Sequence, residues 1–304
     1  MRPRRREAWE GYAFAAPWIG GFLMLTAGPM LFSIWLSFHR WNVLQPAHYV
    51  GAFNYVYAAH DPRFWTALTN TAAYALVGVP LGQVVALGLA VLLNQQVRGQ
   101  GFFRTVFYLP SVIAGVATAM VWTLLLHPDA GAVNLVLRGL HLPEKSMPGW
   151  FTSPSWWPPG AMPGLILMSV WGTGAAMIIY LAGLQNVPQD LVEAAEIDGA
   201  TAPQRFRHLT IPMLTPTIFF NVVMGIIGSF QVFTSSYVVS NGTGGPADAT
   251  LTYVLYLYKH AFEQFHMGYA AALAWIMFAI LMSITLLVFK SSGRWVYYEG
   301  VQRR

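Results

Sequence analysis

The sequence predicts an all-α integral membrane protein with six transmembrane helices, and three observations carry that prediction. Only 10% of the 304 residues are charged and 56% are hydrophobic, against roughly a quarter charged in an ordinary soluble domain. Six stretches without Asp, Glu, Lys or Arg reach the roughly 20 residues needed to cross a hydrocarbon core: Tyr12 to Phe38, Trp65 to Asn94, Thr105 to Leu126, Pro163 to Val187, Ile211 to Ser240 and Gly268 to Phe289. The basic residues also divide unequally between the two sides that six spans define.

The N-terminal tail, residues 1–11, leads into a first transmembrane helix over 12–38. This basic start has the outline of a secretory signal, yet its apolar run exceeds the roughly 7–15 residues of a cleavable core, so an uncleaved helix is expected. A mixed, aromatic loop follows over 39–64, then a membrane domain over 65–289 and a tail over 290–304. The loop 127–162 is rich in proline and holds Trp150, Trp156 and Trp157, residues suited to a membrane–water boundary. After the fifth span, Gly242, Gly244, Gly245 and Pro246 signal a turn. Leu251, Val254, Leu255, Tyr258 and Phe262 then recur at spacings of three and four, predicting a short helix at the outer interface.

Six spans place both termini on one side. That side collects twelve of the seventeen Lys and Arg residues: Arg2, Arg4, Arg5, Arg6, Arg98, Arg104, Arg205, Arg207, Lys290, Arg294, Arg303 and Arg304. The other side receives five, namely Arg40, Arg63, Arg138, Lys145 and Lys259. Cytoplasmic loops carry the excess of basic residues, so both termini are expected in the cytoplasm.

The loop between the fourth and fifth spans, residues 188–212, has the punctuation of two short helices. The first runs from about Gln189 to Asp198 and halts at Gly199, a residue that takes the left-handed conformation of a helix end. The second starts at Thr201, with Gln204 three residues on completing a capping box, Pro203 tolerated in the first turn, and Pro212 expected to close or bend the segment. An amphipathic connector lying on the membrane would show the same periodicity.

The wording of this loop goes further. Glu193-Ala194-Ala195, Gly199 and Ile211-Pro212 reproduce the Glu-Ala-Ala pattern of ABC importer permeases. The runs Asp198-Gly199-Ala200, Arg205-Phe206-Arg207 and Thr210-Ile211-Pro212, with Pro216, resemble the carbohydrate-uptake branch more narrowly. The likeness extends through Asn70-Thr71, Gly101 to Arg104, Leu109-Pro110-Ser111, Tyr180 to Leu184 and Gly268-Tyr269-Ala270.

That resemblance implies a type I importer permease fold in a bacterial-type cytoplasmic membrane and a transport subunit rather than an enzyme. It implies two separate ATP-binding subunits, a second homologous permease and an extracytoplasmic solute-binding protein as partners. The loop would dock on the ATPase through Glu193, Ala194, Ala195, Asp198, Gly199, Phe206, Leu209 and Pro212, with Glu193 as a charge contact and Phe206 and Leu209 as apolar anchors. No G-x-x-x-x-G-K-[ST] phosphate loop occurs here. No cofactor is expected on this chain, and ATP and Mg would be used by the partner. The solute would be a sugar, with glycerol phosphate or another polyol as the alternative.

For the solute path, Gln231, Thr234 and Ser235 fall at i, i+3 and i+4, one face of a helix, with Phe230, Phe233 and Tyr237 nearby. Amides, hydroxyls and aromatic faces suit a hydroxyl-rich solute, although such groups also join helices to one another. Trp122 and Trp171 have the same two readings, packing or path lining. The composition sets other functions aside. The basic residues lie between apolar runs rather than on one solvated face, which speaks against nucleic acid. Cysteine is absent and eight scattered histidines show no metal-ligand spacing. A proton-coupled transporter would need ionisable residues inside the spans, and no nucleophile–base or acid pair for an enzyme assembles.

Overall fold

The computed structural model describes residues 3–95 and 98–297, which fall into two units. Arg2, Arg303 and Arg304, used in the charge count, lie outside the described residues, as do the side chains of Arg4, Arg5 and Arg6. Among the described residues four helices are long and apolar enough to cross a membrane: Trp9–Ser37, Pro62–Asn94, Ala202–Val239 and Met267–Trp295. Two bent pairs raise the number to six if each is one span.

One unit comprises Met1–Asp61 and Leu257–Ile280. Its first span contains a π-helical turn, Leu23–Ala27, closed by a bond from the Gly28 amide to the Leu23 carbonyl. The next residue is Pro29. A proline ring crowds the carbonyl four residues back, and a widened turn relieves that crowding without ending the helix. Beyond the span, strands His39–Arg40 and His48–Tyr49 pair antiparallel, with His39 opposite Tyr49, and the helix Phe53–His60 follows. The side-chain amide of Asn54 donates to the carbonyls of Ser37 at 2.8 Å and His39 at 3.0 Å. The last span starts against the same hairpin: the Met267 amide donates to the Trp41 carbonyl at 3.0 Å. A Cβ on Gly268 would overlap the His39 carbonyl oxygen, so only glycine allows this approach.

The other unit comprises Pro62–Tyr256 and Leu281–Arg304. Its organising element is the 33-residue helix Pro62–Asn94. Ala67, Thr71, Ala75, Gly78, Gly82, Ala86 and Ala90 form its buried stripe, while Leu76, Val84 and Leu92 are exposed. Small residues inside and large aliphatics outside is the arrangement of a membrane helix, where close backbone approach holds the bundle and lipid solvates the rest. Gly174–Gln185, Ile211–Phe230 and Ala161–Trp171 pack on it. One core cluster joins Ala86, Ala90 and Leu93 to Met177, Tyr180, Leu181, Leu184 and Leu214. A second joins Tyr74, Ala119, Met162, Leu165, Ile166 and Met168, with Trp122 packed against it.

Three expected spans differ in form. The third is not one helix over Thr105 to Leu126 but two, Gln100–Ser111 and Gly115–Leu125, bent by 95°. Pro110 lacks the N–H and disfavours helix before it, and the chain turns at Ala114 with φ −55° and ψ 131°. The fourth divides into Ala161–Trp171 and Gly174–Gln185, bent by 45° around Gly172. The fifth begins early, because helical structure runs from Ala202 through a π turn at Phe206–Thr210 into Ile211–Phe230. Pro212 therefore does not close the segment. As before Pro29, the residue ahead of the proline closes the wide turn, here from the Ile211 amide to the Phe206 carbonyl. Pro216 deprives the Pro212 carbonyl of its helical donor, and the Thr215 hydroxyl supplies one at 2.6 Å.

The short helix after the fifth span is Tyr253–Tyr258, continued by a π turn at Lys259–Glu263. Its burial differs from the expected stripe. Leu251 and Leu255 are buried, but so are Tyr253 and Tyr256, while Phe262 is exposed. Within the second unit, Asn70 and Thr71 hold the segment leading into this helix. Asn70 donates to the carbonyls of Asp248 at 2.7 Å and Leu251 at 3.1 Å, and the Tyr253 amide donates to the Thr71 hydroxyl at 2.8 Å. Arg63 forms a two-pronged ion pair with Asp248 at 3.0 and 2.7 Å.

Candidate functional site

Two places in the second unit hold the residues singled out above. The first is the polar loop. Helix Gln189–Ile197 ends on Asp198, and Gly199 sits at φ +81°. The Gly199 amide donates to the Glu196 carbonyl at 3.0 Å and the Ala200 amide to the Ala195 carbonyl at 2.9 Å, the paired bonds of a Schellman cap. Thr201 then starts the second helix. The Gln204 side chain accepts from the Thr201 amide at 2.8 Å and from its hydroxyl at 2.9 Å. Arg205 clamps the two helices: its guanidinium pairs with Glu196 at 2.8 Å and donates to the Ala200 carbonyl at 3.2 Å.

Glu193, Ala194, Asp198 and Gly199 are exposed on this turn, and Ala195 is half-buried. Phe206, Leu209 and Pro212 are half-buried too. The large apolar side chains the loop presents are others, Ile197 at 87% and Leu191 at 45% exposure. A shallow hollow of about 510 Å³ lies between the two helices, bordered by Ala195, Asp198, Gly199, Gln204, His208 and Leu209. An isoleucine left almost wholly in water beside a rigid, small-residue turn is the composition of a contact surface.

The second place is a cavity of about 370 Å³ where the fifth span breaks. Helix Ile211–Phe230 stops at Gln231, Phe233 takes φ −133° and ψ −60°, and a new helix runs Thr234–Val239. Gln231, Thr234 and Ser235 all line the cavity. They are not a stripe on one continuous helix, as the spacing predicted; the break itself turns them into the same space. Tyr237 does not line it, and instead packs its ring on Phe233 and against Gly242. The other walls come from both bent spans, through Ser111, Gly115 and Thr118 on one and Ser169 and Gly172 on the other, and from Tyr74 of the helix Pro62–Asn94.

Hydrogen bonding divides these polar groups into two kinds. Ser169 donates its hydroxyl to the Ile166 carbonyl at 2.7 Å. The Val232 carbonyl, left without a helical donor by the break, accepts from the Thr252 hydroxyl at 3.0 Å. Among the described residues, the side chains of Thr118, Gln231, Thr234 and Ser235 make no hydrogen bond to the protein and keep their full capacity for a ligand. Among the described residues no Asp, Glu, Lys, Arg or His lines the cavity.

A smaller space of about 230 Å³ shares Tyr74, Ser169 and Val232 with it and reaches Gln83. Gln83 accepts from the Tyr180 hydroxyl at 2.7 Å and donates to the Asn221 carbonyl at 3.2 Å, so it joins helices. Trp122 and Trp171 meet edge to face at 5.9 Å, and neither lines the larger cavity. Trp122 and Trp171 pointed to the third and fourth spans, but the residues that line the cavity from them are others, brought there by the bends that Pro110 and the pair Gly172 and Gly174 signal.

Comparison with known proteins gives this geometry its setting. Residues 78–296 match the family described as the binding-protein-dependent transport system inner membrane component. The chain is 44% identical over 98% of its length, and 95% of the relative's, to the probable ABC transporter permease protein YesP of Bacillus subtilis (strain 168). It is 36% identical to the lactose transport system permease protein LacF of Rhizobium radiobacter, covering 92% of this chain and 93% of that one. The crystal structure of a bacterial alginate ABC transporter, in complex with an alginate pentasaccharide-bound periplasmic protein, contains a chain of the same fold, with TM-score 0.80 and 24% identity over 95% of this chain and 96% of that one. The chain therefore belongs to the binding-protein-dependent transport system inner membrane components, the membrane-spanning permeases of ABC transporters.

Proposed function

We propose that this permease moves a sugar, mono-, di- or oligosaccharide, inward across a bacterial-type cytoplasmic membrane at the cost of ATP hydrolysed by partner subunits. The observation that carries the substrate class is the uncharged cavity at the break in the fifth span, where Gln231, Thr234, Ser235 and Thr118 are free to hydrogen-bond. A neutral polyhydroxyl solute exchanges its water for such groups without a charge to compensate. The lactose transport system permease among the relatives fits the same class. A glycerol-phosphate solute would call for a cation, and proton coupling for a carboxylate, histidine or lysine; among the described residues the cavity lining has neither.

In this reading the loop 188–212 and both termini face the cytoplasm, and the loop docks into a groove on one of two ATP-binding subunits, which bind ATP and Mg. Gly199 fixes the turn, Glu193 offers a charge, and Ile197 and Leu191 supply apolar contact. Closure of the ATPase pair moves the loop. The fifth span runs on from the loop with no terminus between them, so the motion reaches the segment carrying Gln231. A second homologous permease completes the path and an extracytoplasmic binding protein delivers the solute.

Purification from native membranes tests this. Recovery of an ATPase and a second permease, with ATP hydrolysis stimulated by a sugar-loaded binding protein, is the expected outcome. A chain that purifies alone and transports without ATP refutes it.

A further inference from the structure

The first unit contains a pocket of about 320 Å³ that shares no lining residue with the cavity at the helix break. Its walls are set by backbone contacts: Asn54 bonded to the Ser37 and His39 carbonyls, Met267 bonded to Trp41, and Gly268 seated on His39. Trp41 and Tyr57 supply aromatic surface, and Arg40, Gln45, His48 and His266 supply donors. Among the described residues no Asp or Glu lines it. Arg40 is exposed, stacks its guanidinium over the Phe53 ring at 5.3 Å, and has no ion-pair partner among the described residues. The side chains of Gln45 and His48 likewise make no hydrogen bond there.

A guanidinium lying over an aromatic ring with no acidic partner among the described residues keeps its donors for carboxylate or phosphate oxygens. The volume falls at the lower end of small-ligand pockets. We propose that this pocket is a second ligand site, for a small anion, carboxylate or phosphate, carried on a ring or glycerol body. Arg40 and its neighbours Gln45 and His48 hold the anion, and Trp41 and Tyr57 receive the body. Two sources offer this chemistry, a soluble sugar acid and the headgroup of an anionic phospholipid. The inference does not depend on the proposed coupling to an ATPase, since binding is measured on this chain alone.

The test uses the full chain in a phosphate-free nonionic detergent, titrated calorimetrically with glucuronate and with glucose, which differ in the carboxylate. A second arm uses native mass spectrometry of the chain offered phosphatidylglycerol or diacylglycerol, which differ in the phosphate headgroup. Preference for one anionic probe over its neutral counterpart by about tenfold or more, the scale of a charge-assisted hydrogen bond, and its loss in Arg40→Gln at unchanged melting temperature, is the expected result. The arm that shows the preference identifies the source. Equal binding of charged and neutral probes in both arms, or an undiminished preference in Arg40→Gln, overturns the proposal. If Arg40→Gln fails to insert, Gln45→Ala combined with His48→Gln takes its place, with binding weakened several-fold as the supporting result and unchanged binding as the contrary one.

Discussion

Gly199 offers the sharpest perturbation of the proposed coupling loop. Its φ is +81° and nothing lies within 4 Å of a Cβ built there. Gly199→Ala therefore meets no clash, and its cost is the intrinsic one of a left-handed L-residue, about 1–2 kcal/mol. The exposed turn of the free variant can relax out of the left-handed conformation, so restoring it on docking costs association with the ATPase that amount, a factor of about 5 to 30. Gly199→Asn, whose side chain tolerates the left-handed region, costs less. Gly199→Val adds β-branching and costs more. The assay is affinity of the purified ATPase subunit for the permease in nanodiscs, together with solute-stimulated ATP hydrolysis. The order Gly, Asn, Ala, Val is expected, with melting of the permease unchanged because the turn is exposed. If Ala and Val match the wild type in an intact complex, the turn is not what the ATPase recognises.

Other consequences can be checked on the chain itself. Gly268→Ala places a methyl group on the His39 carbonyl oxygen and is expected to cost more than about 4 kcal/mol or prevent folding, read as lost yield of monodisperse protein. Gln231→Ala removes a side chain with no protein partner, so solute affinity should fall about 2- to 10-fold with no change in melting. Asn70→Ala should do the reverse, lowering stability by about 1–3 kcal/mol through two orphaned carbonyls. Asn134, which donates to the Pro128 and Pro148 carbonyls and accepts from the Trp150 indole at 2.7 Å, staples the loop after the third span. Its replacement by alanine should cost about 2–3 kcal/mol and expose that loop to protease.

The parts of the fold governed by hydrophobic length were legible in the sequence, and those governed by local backbone conflict were not. Apolar runs located the spans because burial in lipid depends on summed side-chain transfer energy. They did not reveal the 95° and 45° bends, since the residues on either side of Pro110 and Gly172 are as apolar as in a straight helix. Gly199 and Gln204 could be placed in advance because caps are local chemistry. Of the two effects expected of Pro212, closing or bending, the structure excludes closing: a π turn absorbs the proline, and how residues 206–210 open is not encoded in spacing. The Gln231, Thr234 and Ser235 cluster was found by assuming a continuous helix. It survives in the structure through the break instead, and Tyr237, included by the same assumption, packs elsewhere.

Site-directed cross-linking tests the central claim most directly, and the absence of native cysteine makes it clean. Ile197→Cys and Leu44→Cys, at 87% and 92% exposed positions, would each be the sole cysteine of the permease in a reconstituted complex. The proposed topology predicts that cysteine 197 cross-links to an ATP-binding subunit, in a yield that changes with ATP, while cysteine 44 does not. Cross-linking of the ATPase through position 44, or none through position 197 in a complex that still hydrolyses ATP on solute addition, would contradict it.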